Sequence, residues 1–178
     1  MIEMYSELPV QFKECDISEF SSQSWYESIL DGIKYQFVEK QDMPTVLFWA
    51  CPHPNNDEQI LLGLAELHLF DTESDPLTTH IPAMLDMFEA FACIFVQRTT
   101  DMRINPLMSF GEDAILERDC IIAMYEDVDD NSLATYYDIS RDDEGMPRVG
   151  EREGPGMHPS GKKFTSFLPF PDGHWWES

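Results

Sequence analysis

Two runs of β-branched and aromatic residues, CIIAMYED (120–127) and LATYYDIS (133–140), are separated by only the five residues VDDNS. Each run has the length of a strand, and the Asp-Asp-Asn-Ser connector carries turn chemistry, so the pair reads as an antiparallel hairpin. A lone hairpin cannot bury its apolar side, so it demands further strands or a packed helix. TVLFWAC (45–51) and ILLGLAELHLF (60–70) supply two more strands, joined by the turn-rich CPHPNNDEQ, with Gly63 marking the place for a bulge.

The helical signals are fewer. Ser24-x-x-Glu27 has the form of a capping box, and Trp25, Ile29, Ile33 and Phe37 follow at four-residue spacing. This predicts a helix over roughly 24–34 that runs on into a strand through YQFVEK and is broken at Met43-Pro44. A wide apolar face over 82–98, with Pro82 in the first turn and Arg98 at the negative C-terminal pole, predicts the strongest and most central helix of the chain. Helix, strand, strand, long helix and strand pair do not alternate as βαβ units. The expected fold is therefore α+β: a single domain with a mainly antiparallel sheet, two or three helices packed on one face, and an irregular Gly/Pro-rich C-terminal segment.

The chain of 178 residues is long enough for one full core and only marginally long for two. With 43% hydrophobic residues it is too apolar for a disordered acidic chain, so the formal net charge of −23 sits on a folded body. The charge is unevenly spread. Residues 148–178 balance four acids against four bases, and the excess of acid lies before them. The expected organisation is an acidic α+β body over 1–149 and a neutral, Gly/Pro/aromatic-rich extension over 150–178 packed on that body.

Eleven Lys and Arg against 34 Asp and Glu argue against direct nucleic-acid or anionic-membrane binding, which need a basic surface. No stretch approaches the roughly 20 apolar residues of a membrane span, and the N-terminal MIEMYSELP lacks the form of a signal peptide. A cytoplasmic protein is expected. The four cysteines, Cys15, Cys51, Cys93 and Cys120, are widely separated and form no CxxC pair, so reduced thiols are expected rather than a zinc site.

Three groups of residues are candidates for chemistry. The first is acidic: Glu126, Asp127, Asp129 and Asp130, then Asp142, Asp143 and Glu144, bracketing a run that holds Tyr136 and Tyr137. Clustered carboxylates steer a basic partner, and tyrosines anchor interfaces. The hairpin carboxylates do not follow the alternate spacing and glycine of an EF-hand loop, and Asp71, Glu73 and Asp75 alternate but are followed by Pro76 where a tight loop needs glycine, so no calcium site is expected at either place. The second is His53 beside Cys51, with Glu66 and His68 on one strand face, a set suited to a Cys/His pair or to zinc hydrolysis. The third is the aromatic end, Phe164, Phe167, Phe170, Trp175 and Trp176, of which the two tryptophans are a docking candidate. No catalytic or phosphate-binding motif is present, and the pattern calls for no cofactor and no metal.

These observations favour a non-enzymatic acidic binding protein that neutralises a basic protein, with an immunity protein or antitoxin against a nuclease toxin as the type. The alternatives are a DNA-mimicking antagonist, an adaptor or subunit docked through Trp175 and Trp176, and a metal-dependent hydrolase. The residues expected at the partner surface are Glu126, Asp127, Asp129, Asp130, Tyr136, Tyr137, Asp142, Asp143, Glu144, Trp175 and Trp176.

Overall fold

A computed structural model describes residues 10–40, 42–66, 80–99 and 119–156. Among these described residues the fold is α+β, with seven strands in one antiparallel sheet and two helices. In chain order the elements are β1 (Val10–Asp16), α1 (Ser22–Lys40), β2 (Val46–Pro52), β3 (Gln59–Glu66), α2 (His80–Met87), β4 (Ala92–Thr99), β5 (Cys120–Asp127), β6 (Ser132–Arg141) and β7 (Pro147–Gly156). Across the sheet the strands lie in the order β1-β3-β2-β4-β5-β6-β7. β5, β6 and β7 form a meander, whose first hairpin the VDDNS connector at 128–132 already implies.

Helix α1 begins earlier and ends later than its sequence pattern suggests. The Ser21 hydroxyl accepts from the Ser24 N–H at 3.3 Å, and the Ser21 carbonyl accepts the first helical bond from Trp25, so the cap is Ser21 rather than Ser24. YQFVEK is helical, not a strand. Its Phe37 continues the buried stripe of Tyr26, Leu30 and Ile33 at spacings of three and four, so the apolar face holds these residues in one helix.

The apolar run after residue 88 departs most from expectation. Helix α2 stops at Met87, and Ala92–Thr99 is β4, a strand inside the sheet between β2 and β5. Ala92, Ile94 and Val96 join the core under α1, whereas Cys93 and Phe95 join the core under α2. A strand buried on both faces reads as a continuous hydrophobic run, and such a run also mimics a wide helical face. Arg98 accordingly caps no helix. From the end of β4 its Nε and Nη2 donate to the Asp119 carboxylate at 3.1 and 3.0 Å, and its Nη1 donates to Asp42 at 3.0 Å.

The two helices cover opposite faces of the sheet, not one. Val46, Ala50, Ile94, Ile121, Ala123 and Tyr137 pack with α1, and Leu47, Trp49, Cys93 and Phe95 pack with Ile81, Met84 and Leu85 of α2. This follows from connectivity. β1 and β2 run parallel with β3 between them and are joined through α1; β3 and β4 run parallel with β2 between them. Residue 63 carries no bulge, because the β1–β3 and β2–β3 registers run through it without a shift. Regular structure also continues through residues 150–156 as the second half of β7, where loop is expected. The remainder of the extension, including Trp175 and Trp176, lies outside the described residues, as do His68 and Asp71–Asp75.

Candidate functional site

Antiparallel pairing sends every second connection to the same end of the sheet. Gln59 opposes Asp16, Pro52 opposes Ile60, Ala50 opposes Ala92, and Ala92 opposes Asp127. Four connections therefore share one end: residues 17–21 between β1 and α1, 53–58 between β2 and β3, 88–91 between α2 and β4, and 128–131 between β5 and β6. Backbone bonds knit them together. Ile17 N–H donates to Glu58 C=O at 2.9 Å, Phe91 N–H to Ala50 C=O at 2.9 Å, and Val128 N–H to Phe91 C=O at 3.0 Å. The ring of Phe20 meets those of Trp25 and Phe91 at 5.8 and 5.9 Å between centroids.

These connections and their flanks carry Asp16, Glu19, Asp57, Glu58, Asp86, Glu89, Asp127, Asp129 and Asp130, and no Lys or Arg. All but Asp127 are exposed. Hydrogen bonds from the Ser18 hydroxyl and N–H hold the Asp16 carboxyl below its ordinary range, so that charge persists into mild acid. Ile17 and Met87, 55% and 39% exposed, follow Asp16 and Asp86 directly in the chain.

The expected acidic surface is thus only partly assembled. Asp127, Asp129 and Asp130 lie at this end. Asp142, Asp143 and Glu144 occupy the turn at the other end of β6, a strand of ten residues, which at about 3.3 Å per residue separates the two clusters by about 33 Å. There Asp142 is engaged in the turn itself. Its Oδ1 accepts from the Glu144 and Met146 N–H groups, and its Oδ2 accepts from Arg148. Asp143 and Glu144 stand beside Arg141 and Arg148, so that turn is not purely acidic.

Three of the expected surface residues belong to the interior. Glu126, Tyr136 and Tyr137 are 1%, 1% and 2% exposed. Glu126 and Tyr136 sit on the α2 side of the sheet, while Tyr137 packs under α1, its hydroxyl donating to Leu30 C=O at 3.3 Å and its ring facing Lys34. Because β6 is covered on both faces, alternation exposes neither tyrosine, and neither can anchor a partner. Exposed apolar residues at the acidic end of the sheet are instead Ile17, in the loop after β1, and Met87, at the end of α2.

Between the first turns of α1 and the β5–β6 turn is a cavity of about 340 Å³, lined by Ser22, Gln23, Tyr26, Glu27, Tyr125, Asp127, Asn131, Ser132 and Leu133. Asp127 Oδ2 accepts from the Tyr125 hydroxyl at 2.8 Å and from Asn131 Nδ2 at 2.9 Å, while its Oδ1 accepts from the Asp129 and Asn131 N–H groups. The turn residue Asp130 adopts φ 64°, which aspartate tolerates. The Tyr26 hydroxyl donates to Ala123 C=O at 3.1 Å and accepts from Thr135 at 2.8 Å. Burial is the main cause that pushes Tyr26 up to about 12, and burial, reinforced by the Asp127 carboxylate, holds Tyr125 protonated well past its ordinary range.

A tyrosine whose folded value exceeds its unfolded value of about 10 stabilises the fold fully below pH 10 and loses that contribution as pH rises through 12. For Tyr26 the contribution amounts to about 2–3 kcal/mol. In an ultraviolet titration followed by circular dichroism, the Tyr26 signal, isolated by difference against Tyr26→Phe, should ionise near pH 12 and together with unfolding. Ionisation near pH 10 with the fold intact would refute the buried hydroxyl.

The described members of the histidine set, Cys51, His53 and Glu66, do not converge. Glu66 ends β3 opposite Val46, whereas His53 follows β2 at the acidic end. His53 instead lies 3.4 Å from Glu14, and its Nδ1 accepts from the Asn55 N–H. Cys51 is buried, and desolvation pushes its thiol up to about 11, the reverse of an activated nucleophile. Among the described residues no three His, Cys, Asp or Glu side chains are grouped as metal ligands, the four cysteines are free thiols, and no helix is long and apolar enough to cross a membrane. No known protein family, curated protein or solved structure matches this chain.

Proposed function

We propose that the chain is a cytoplasmic acidic binding protein, not an enzyme, that neutralises a basic protein partner in the manner of an immunity protein or antitoxin against a nuclease toxin. The observation that carries this reading is the acidic end of the sheet: nine carboxylates drawn from four connections and their flanks, no Lys or Arg among them, with the exposed apolar Ile17 and Met87 next to two of them in the chain. Charge of one sign over a rigid surface accelerates encounter with its opposite, and the apolar residues supply the short-range contact that retains the partner. A mimic of duplex DNA needs carboxylates strung along an extended surface. Here nine acids gather at one end without an intervening Lys or Arg, which suits a compact basic face.

The test is capture of partners from the lysate of the native host on the immobilised full-length protein at low and at high salt. One basic protein retained at near-equal stoichiometry and released by salt is the expected result. Retention of nothing, or of a partner indifferent to salt, rejects the reading.

A further inference from the structure

We propose that the chain's own Lys162 and Lys163 fold back onto the β5–β6 turn and cover the acidic end against basic ligands. The proposal deepens the reading of the acidic end as a docking surface by naming how access to it is regulated, and that regulatory role rests on the reading. Strand β7 lies at the edge of the described sheet and pairs antiparallel with β6, Gly156 opposite Ala134. Ala134 is the third residue of β6, so the chain leaves the sheet at the acidic end, beside the turn at 128–131. The next fifteen residues, 157–171, hold Lys162 and Lys163 and no Asp or Glu. A cationic stretch is thereby delivered to connections whose nine carboxylates are accompanied by no Lys or Arg.

Reach selects which carboxylates the lysines meet. Counted from β7, the β5–β6 turn is one to two strands away, the 88–91 connection enters β4 three strands away, and β1 with Asp16 is six strands away. At about 4.8 Å per strand this puts the turn within about 10 Å of the exit, Glu89 at about 15 Å and Asp16 near 30 Å. Lys162 and Lys163 follow Gly156 by six and seven residues. A coil of that length averages about 14 Å end to end, which matches the turn and Glu89, and Asp16 lies at the limit of full extension. Tethering at a matched span holds the lysines there at an effective concentration on the order of millimolar. Asp129, Asp130 and Glu89 are exposed. Exposed ion pairs are individually weak, so a partner with a dense positive face displaces the tail. A weakly basic protein does not, and the tail acts as a filter on partner choice.

Amide NMR of the isotopically labelled full chain compares the parent with the double variant Lys162→Gln, Lys163→Gln. The control, Lys34→Gln with Lys40→Gln, changes the net charge equally at two exposed lysines of α1. The tail variant should shift amides at 127–131 and 89–91 and leave 16–19 and 57–58 in place. Salt at about 0.5 M should bring the parent to the same positions, because it screens exposed pairs. The probe for competition is N-acetyl-hexalysine amide, its Kd read from the amides of 127–131. It should bind the tail variant about 5-fold more tightly than the parent at low salt, the ratio for a tail that covers the turn about four-fifths of the time. The control should bind it as the parent does. Amide positions unmoved by the tail substitutions, equal shifts in the control, or equal hexalysine affinities would overturn the proposal. So would shifts that grow with protein concentration, which place the lysines on a second copy. If a basic protein is captured in a salt-sensitive way and the tail variant shows none of these changes, the docking reading stands and the tail proposal fails. If the tail covers the turn against hexalysine and the lysate yields no basic protein, the tail proposal stands and the docking reading fails.

Discussion

Replacing Gly63 with alanine should destabilise the fold by about 3 kcal/mol, although the substitution adds one methyl group at a position with no unusual backbone angle. The reason is space. Gly63 lies on β3 opposite Phe12 of β1 and Trp49 of β2. A Cβ built there would stand 2.1 Å from Trp49 Cε2 and 2.4 Å from Cζ2. The indole cannot retreat. It is fully buried, stacked on Phe88 with centroids 5.6 Å apart, and met edge-on by Phe12 at 5.7 Å. The methyl must push the indole off its rotamer or force paired strands away from each other, and interiors packed at crystal density absorb neither easily. A loss of that size is a large fraction of the 5–15 kcal/mol that holds a typical domain together. Urea unfolding of Gly63→Ala, Trp49→Leu and the double variant checks the mechanism as a cycle. The double variant should lose less than the two single losses combined, because the smaller residue at 49 makes room for the methyl. A Gly63→Ala loss below about 0.5 kcal/mol, within the range of neutral surface changes, would show that the glycine is no slot for the indole.

The same residue marks what could be read from the sequence. A glycine inside a strand pattern signals a bulge or a close approach, and only the register across β1 and β2 decides between them. The strands with turn residues at both ends, β2, β3, β5 and β6, were legible, as was the middle of α1. The boundary between α2 and β4 was not. The helix ends in a Schellman arrangement: Ala90 N–H donates to Leu85 C=O, Glu89 N–H donates to Asp86 C=O, and Glu89 takes the left-handed conformation at φ 56°. Glycine normally announces that position. Here glutamate holds it, and the apolar run continues through the turn into β4 without a break. The acidic end was only partially legible. Asp127, Asp129 and Asp130 stand out as a cluster, but they are joined by Asp16, Asp57 and Glu89 only because antiparallel pairing returns the chain to one end. The sequence neighbours Asp142, Asp143 and Glu144 are carried away from them by the length of β6.

That separation makes the partner surface testable by charge reversal at matched net charge. The variant Glu19→Lys, Glu58→Lys, Glu89→Lys and Asp129→Lys changes one exposed residue in each of the four connections. The control variant Asp31→Lys, Glu39→Lys, Asp143→Lys and Glu144→Lys alters four exposed acids elsewhere and leaves the same net charge. The ends of β6 are about 33 Å apart, and the Debye length at physiological ionic strength is about 8 Å, so the field of one end is largely screened before it reaches a partner docked at the other. The first variant should therefore associate with the captured basic protein about 100-fold more slowly and lose the steep dependence of its on-rate on salt. The control should slow by no more than about 3-fold, since its acids lie beyond the screened range of the contact. Stopped-flow association rates over a range of ionic strength measure both. Equal slowing by the two variants would mean that the whole charge acts as one diffuse field, and the acidic end would then be no more a docking surface than any other region of the molecule.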